Sequence, residues 1–292
     1  MQIAWAPRGR IVVVAVLPIL LAVGCTTRTP VLTGLIDAHD AAGNLQVHFA
    51  KAVDASNRAV MADTDEVSRA AAQEAEHATD AAQRDVAKLR PLLKDLQFAD
   101  ELRALESFDT RFSEYRQIER DILPLAVENT NLKAQRLLFG ACADAVTDVR
   151  KTVSALARTQ RAMSADRRDA LVAQTAAAAL EVQVVLARHI AEADDAAMTR
   201  MEQQMHASEA AADTCVSSLG RGTSPEALAA AQSSLSRFKA IVDQITQLSR
   251  RNTNVRSLAL ALGRQRTITS QCDEHLRELT AALAQHTLTA TR

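Results

Sequence analysis

The chain has 292 residues, of which 48% are hydrophobic, 3% aromatic and 24% charged, with a net charge of -1. Near-zero charge and the absence of long like-charge runs remove the sequence-wide electrostatic reason for binding nucleic acid. Gly (8) and Pro (6) are both rare, and abundant Ala, Leu, Gln, Glu and Arg point to an all-α protein with a thin, Ala-rich core.

Residues 1–24 read as a signal peptide. Arg8 and Arg10 form a basic start, and Ile11 to Val23 is an apolar run interrupted by Pro18. At ~1.5 Å per residue the run is too short for a ~30 Å hydrocarbon core, so a cleaved signal is expected rather than a spanning helix. Leu21-Ala22-Val23-Gly24-Cys25 resembles a bacterial lipobox, with Ala22 where Leu is usual. The resemblance implies a diacylated Cys25 as the mature N-terminus, facing the periplasm. Thr26, rather than Asp, then implies the outer membrane. A plain secreted protein and an uncleaved anchor are the alternatives. No second apolar run of ~20 residues is expected to cross the membrane again.

A short tether, residues 25–33, leads into a stretch without Gly or Pro from Asn44 to Arg90. Its helical seam reads Phe49, Val53, Ser56, Val60, Asp63, Val67, Ala70, Glu74, His77, Ala81. Pro91 marks a bend or end. Asp100 is an expected N-cap for a helix carrying Leu105, Phe108, Phe112, Tyr115, Ile118, Ile122 and Leu125, kinked at Pro124. Asn129-Thr130-Asn131 reads as a tight helix-to-helix turn, because Asn tolerates the left-handed conformation and also caps helices. A third helix runs from Leu132 to about Met163. Ser164 or Asp166 caps the next, which meets no breaker before Leu219. Gly220 and Gly222 end that helix, and Ser224-Pro225-Glu226 starts another.

The stretch from Phe112 to Gly140 recurs from Leu235 to Gly263, at an offset of 252 − 129 = 123 residues between the two Asn-Thr-Asn triplets. Apolar pairs follow it: Leu105 and Leu228, Tyr115 and Phe238, Ile122 and Ile245, Leu156 and Leu279. This is a duplicated structural unit, 34–163 and 164–292. Helix 34–90 would span ~85 Å and each short hairpin about half that. The expected architecture is therefore an elongated up-down bundle, two stacked four-helix bundles sharing two long helices, with both triplets meeting at the waist.

Tyr115, Ile118, Ile122, Leu125, Ala126, Asn129, Ala134 and Leu137 are spaced as in the hairpin of four-helix chemoreceptor ligand-binding domains. The whole arrangement resembles the helical bimodular sensor domain of bacterial chemoreceptors and sensor kinases. That resemblance implies a sensor-type binding domain that takes small molecules between helices. With no second span, linker module or methylated signalling hairpin in this sequence, the resemblance implies a sensor-type domain detached from its transmitter.

Glu74 and His77 form one Glu-x-x-His step, whereas di-iron bundles use two, so no metal is expected. With Asp63 they fall on the apolar seam and are the candidate ligand-binding residues. Their bland reading is a solvated polar seam. No haem-attachment motif, nucleophile elbow or phosphate loop appears, so neither a cofactor nor enzymatic activity is expected. Cys215 and Cys272 are expected at similar heights and to pair as a disulfide in an oxidising periplasm, the alternative being buried thiols with Cys142. The function expected is a lipid-tethered periplasmic module binding a small organic ligand or an envelope protein partner. The alternative is a structural or adaptor lipoprotein with no small-molecule ligand.

Overall fold

The computed structural model describes residues 28–290, with side chains described from 32 to 286. Cys25 and the signal segment lie outside the described residues. The described residues form α1 (Arg28–Met61), α2 (Asp65–Asp95), α3 (Ala99–Glu128), α4 (Thr130–Leu137), α5 (Ala143–Thr159), α6 (Ala165–Ala191), α7 (Asp195–Leu219), α8 (Pro225–Arg251), α9 (Thr253–Leu260) and α10 (Arg266–Ala290). A π-helical turn, Leu138–Cys142, joins α4 to α5, and another, Ala261–Gln265, joins α9 to α10. There is no strand among them. The expected tether is helical from Arg28, and α2 continues through Pro91 to Asp95. The cap of α3 is Phe98 rather than Asp100.

Two separate cores form. The first joins α1, α2, α3 and α10 around Leu45, Phe49, Leu89, Phe108, Phe112 and Leu276. The second joins α5, α6, α7 and α8 around Val149, Val182, Leu186, Val216, Leu235 and Phe238. The seam positions Phe112, Tyr115 and Ile122 and their second-copy counterparts Leu235, Phe238 and Ile245 are all buried. In the first core Phe49 meets Tyr115 edge-on with ring centroids 5.3 Å apart, and Phe108 stacks on Phe112 at the same distance.

The helices that pass the waist are not the ones expected. Both breaker-free stretches fold into hairpins. Thr64 accepts from the amide of Val67 at 3.2 Å and caps α2, and Asp194 accepts from the amide of Ala197 at 2.6 Å and caps α7. Glu192 takes the amides of Ala193 and Asp194 at 2.9 Å each. A side-chain oxygen can therefore satisfy the orphan donors of a new helix without any Gly or Pro. The gain is burial of two Ala faces on each other: Ala52, Ala55 and Ala59 on one arm of the first hairpin, Ala71, Ala75 and Ala78 on the other. Small side chains let the axes approach closely. Helix α6 is long and apolar enough to span a membrane by length and composition, but Leu171, Val182, Val185 and Leu186 bury its inner face in the second core.

The Asn-Thr-Asn triplets are consequently pass-through points. Asn129 and Asn252 each take one left-handed conformation (φ 52° and 53°), after which the helix resumes with α4 and α9 packed on other partners. They meet as expected and are mutually bonded. Thr130 and Thr253 each donate a backbone N–H to the other's hydroxyl, at 3.1 and 3.2 Å. Asn131 and Asn254 exchange N–H to carbonyl-oxygen bonds, both 3.2 Å. The result is a local pseudo-twofold. The bundles also differ from the sequence repeats: each repeat donates its last helix to the other repeat's bundle, so 28–128 packs with 253–290, and 130–251 packs by itself.

Candidate ligand site in the first bundle

Between α1 and the π-turn Ala261–Gln265 lies a cavity of about 370 Å³. Val53, Val60, Met61, Leu258 and Leu262 supply apolar walls, and Asn57, Gln265, Arg266 and Thr269 the polar ones. The Gln265 amide is 2% exposed, and its carbonyl Oε1 and the Thr269 hydroxyl are buried without a hydrogen-bond partner. Both side chains belong to the lining of the cavity, and orphaned buried polar atoms cost about 1–3 kcal/mol each. Arg266 has no ion-pair partner among the described residues.

The second bundle supplies an internal control. The offset of 123 sets Ala261, Gln265 and Thr269 against Leu138, Cys142 and Val146. Those three are buried and belong to the second core. At these three positions the second bundle carries larger or apolar side chains, where the first has a small one and two polar ones beside the cavity. The π-turn occurs in both copies, so it belongs to the scaffold and is no mark of the site.

Behind the cavity, polar side chains cross the core. The Gln265 Nε2–H donates to Ser56 Oγ at 3.0 Å, and both side chains lie near the Tyr115 hydroxyl. Tyr115 donates to Glu119 Oε1 at 3.1 Å, and Thr79 donates to Glu119 Oε2 at 2.8 Å. Glu119 is only 4% exposed. Burial drives its carboxyl up to about 7 against the two hydroxyl donors, which favour the ion. Burial likewise holds the Tyr115 phenol well above its ordinary range. On the far side Glu119 lines a polar cleft of about 250 Å³ with Glu76, Asp80, Arg116 and Arg120.

The residues expected from the sequence are elsewhere. The break at residues 62–64 resets the helical phase, so Ser68, Ala71, Ala75, Ala78 and Thr79 are the buried stripe of α2. Asp63, Glu74 and His77 are exposed, and Glu74 accepts from Arg58 at 2.7 Å. They do not lie on a core stripe. The Cys215–Cys272 disulfide is also corrected: Cys142, Cys215 and Cys272 are all buried thiols. Cys272 sits in the first core and Cys215 in the second, because α10 returns to the bundle that α7 is not part of. Among the described residues no group of three or more His, Cys, Asp and Glu side chains is placed to hold a metal ion.

Sequence reasoning missed Ser56, Glu119, Gln265 and Thr269, although the duplication carries the signal. Tyr115 stands against Phe238, Glu119 against Val242, Gln265 against Cys142 and Thr269 against Val146. Each is a core position at which one copy is polar and the other apolar or a thiol. No protein-family model matches the chain, and no curated protein matches it.

Proposed function

We propose that this chain is a helical binding module of sensor type, without enzymatic activity, that takes a small organic molecule into the cavity at Ala261, Gln265 and Thr269. The observation that carries the reading is the contrast between that hollow, with two unsatisfied polar atoms, and the filled apolar counterpart at Leu138, Cys142 and Val146. A pocket with apolar walls and few converging polar groups is the usual form of a small-molecule site. Its walls suit an apolar body, and its polar end suits one or two hydrogen-bonding groups, with Arg266 at hand for a carboxylate. Tethering by a lipid on Cys25 to the periplasmic face of the outer membrane is part of the same proposal, and Cys25→Ser tests it by loss of lipidation and of the membrane fraction.

The site is tested by a thermal-shift screen of organic acids and amino acids on the protein and on Ala261→Leu. Leu at 261 reproduces the filled counterpart and should raise the melting temperature while abolishing any ligand-dependent shift. A saturable shift that survives Ala261→Leu places the ligand elsewhere. A screen that is flat throughout favours the adaptor reading, which draws support from Phe139, 73% exposed, and Leu262, 62% exposed, at equivalent places on the two bundles.

A further inference from the structure

We propose that the outer face of the α6–α7 hairpin is a dimer interface, on which a second copy of this chain docks with α6 antiparallel to α6 about a twofold axis at the height of Gln174. The proposal does not depend on the cavity in the first bundle.

Helix α6 is apolar enough to pass for a membrane span, yet less than half of its most apolar stretch is buried. The side turned away from the second core carries Ala170, Ala173, Ala177, Leu180, Val184 and Ala187. These alternate at steps of three and four residues, the seven-residue period of a coiled-coil seam. Leu180 is 46% exposed and Val184 62%, so a seam of the kind that receives a helix lies open among the described residues. Beside it runs a groove of about 500 Å³ between the two helices, where Ala177 and Ala178 face Ala207 and Ala211. The first hairpin is the control. The offset of 123 puts Lys51, Asp54, Arg58, Arg84 and Lys88 at the places of Gln174, Ala177, Glu181, Ala207 and Ala211. Five charges keep that face in water, and the second hairpin carries one at the same places.

That one charge selects the occupant. Glu181 accepts from Gln204 at 2.9 Å and from Ser208 at 3.0 Å, and both donors are neutral. It has no ion-pair partner among the described residues, and neither has Arg167, which lies two heptads earlier on the same flank of the seam. Antiparallel pairing about Gln174 brings Arg167 of each copy to Glu181 of the other, twice over, because a twofold contact is isologous. The same register sets Leu180 over Ala170 of the second copy and Ala177 over Ala173, so the large side chain meets a small one and the axes can close at the centre. From Asp166 to Arg188 the face is about 33 Å long and, at two helices, about 20 Å wide. Two copies would then cover about 1,300 Å² in total, within the ~1,200–2,000 Å² of a stable interface.

The test is sedimentation velocity on the full chain, which should give a dimer. Ala177→Glu sets two carboxylates at the centre and should give a monomer with unchanged circular dichroism. Arg167→Glu and Glu181→Arg should each weaken dimerisation by about tenfold, and the double variant should recover it, a pattern that a non-specific apolar contact does not produce. Gln174→Cys should form a 174–174 disulfide between copies on mild oxidation, mapped by mass spectrometry. It is made in a Cys215→Ser background because the Cys215 thiol reaches Gln174 at 3.6 Å. Lys51→Cys in the same background, at the equivalent place on the first hairpin, should form no bridge to its own copy. A native chain that stays monomeric at every loading concentration overturns the proposal. If that monomer floats with phosphatidylethanolamine–phosphatidylglycerol vesicles and Ala177→Glu does not, the face belongs to a bilayer instead. A dimer that survives Ala177→Glu and forms no 174–174 bridge also overturns it and places the contact elsewhere.

Discussion

Glu119→Gln should make the protein more stable above neutrality and leave it almost unchanged in acid. The wild-type carboxyl moves from an ordinary 4.5 to about 7 on folding. Between those values the native state keeps a proton that the unfolded chain has released, so stability falls as pH rises through the window and the full cost is present above about 7. The displacement corresponds to about 3 kcal/mol, an order-of-magnitude value for a group this deeply buried. Glutamine has the shape of the protonated acid and no ionisation, and it can still accept from one hydroxyl and donate to the other. In acid the variant should therefore lie within about 1 kcal/mol of the wild type. The assay is urea denaturation on both sides of the window, followed by circular dichroism and by the absorbance of Tyr115, the one tyrosine of the chain, which reports on the first bundle. The midpoint of the wild type should fall with rising pH and that of Glu119→Gln should not, at constant slope. Parallel pH profiles for the two proteins would show that burial of Glu119 carries no such cost and would refute the reasoning.

The second bundle should respond to pH in the opposite sense. Burial lowers the pKa of His189, against its Glu202 partner, so the unfolded chain takes up a proton that the native state refuses, and stability drops as pH falls through the ordinary value of 6.5; His189→Gln should reduce that acid sensitivity in the same denaturation series. At the waist, Asn129→Ala should cost about 1–2 kcal/mol more than Asn129→Gly in denaturant midpoint, because Ala is strained at φ 52° and Gly is not. Mass spectrometry after denaturing alkylation without reductant should find Cys142, Cys215 and Cys272 all modified. In the folded protein Cys142 and Cys272 should resist, as burial drives their thiols up to about 11 and about 12; a recovered Cys215–Cys272 peptide would contradict the separation of the two cores.

The exchange of the last helix explains why an Asn-Thr-Asn triplet, a poor helix segment, sits at the centre of the molecule. Two left-handed residues in register bring two backbone breaks side by side, and each break supplies the donors and acceptors the other lacks. Asn131 also donates to the Ile190 carbonyl at 2.7 Å and Asn252 to that of Glu192 at 2.8 Å, which ties the α6–α7 turn to the waist. Asn129, the counterpart of Asn252, has its amide nitrogen buried without a partner, and the α1–α2 turn is tied to the waist instead by Arg136, which donates to the Asp63 carbonyl at 3.4 Å, and by Ser68, which donates to the Ala126 carbonyl at 3.0 Å.

The helical class, the duplication, the buried seam of α3 and α8 and the meeting of the two triplets were all legible in the chain, because helix propensity, apolar period and a repeated break are local properties. The candidate site was legible only in principle, as Glu119 and Gln265 set against Val242 and Cys142 by the repeat. Connectivity was not legible. An Asn in the left-handed conformation can reverse a helix or merely bend it, and Thr64 or Asp194 can cap a new helix or ride on an unbroken one. Which outcome holds depends on the faces that the resulting helices bury. Folding 28–95 back on itself covers the Ala faces of α1 and α2 against each other, and passing straight through at Asn129 and Asn252 sends each fourth helix to the opposite bundle. That choice moved Asp63, Glu74 and His77 into solvent, separated Cys215 from Cys272, and brought Ser56, Tyr115, Glu119 and Gln265 together from three segments of the chain. Packing between distant segments decided those contacts, and no local pattern encodes it.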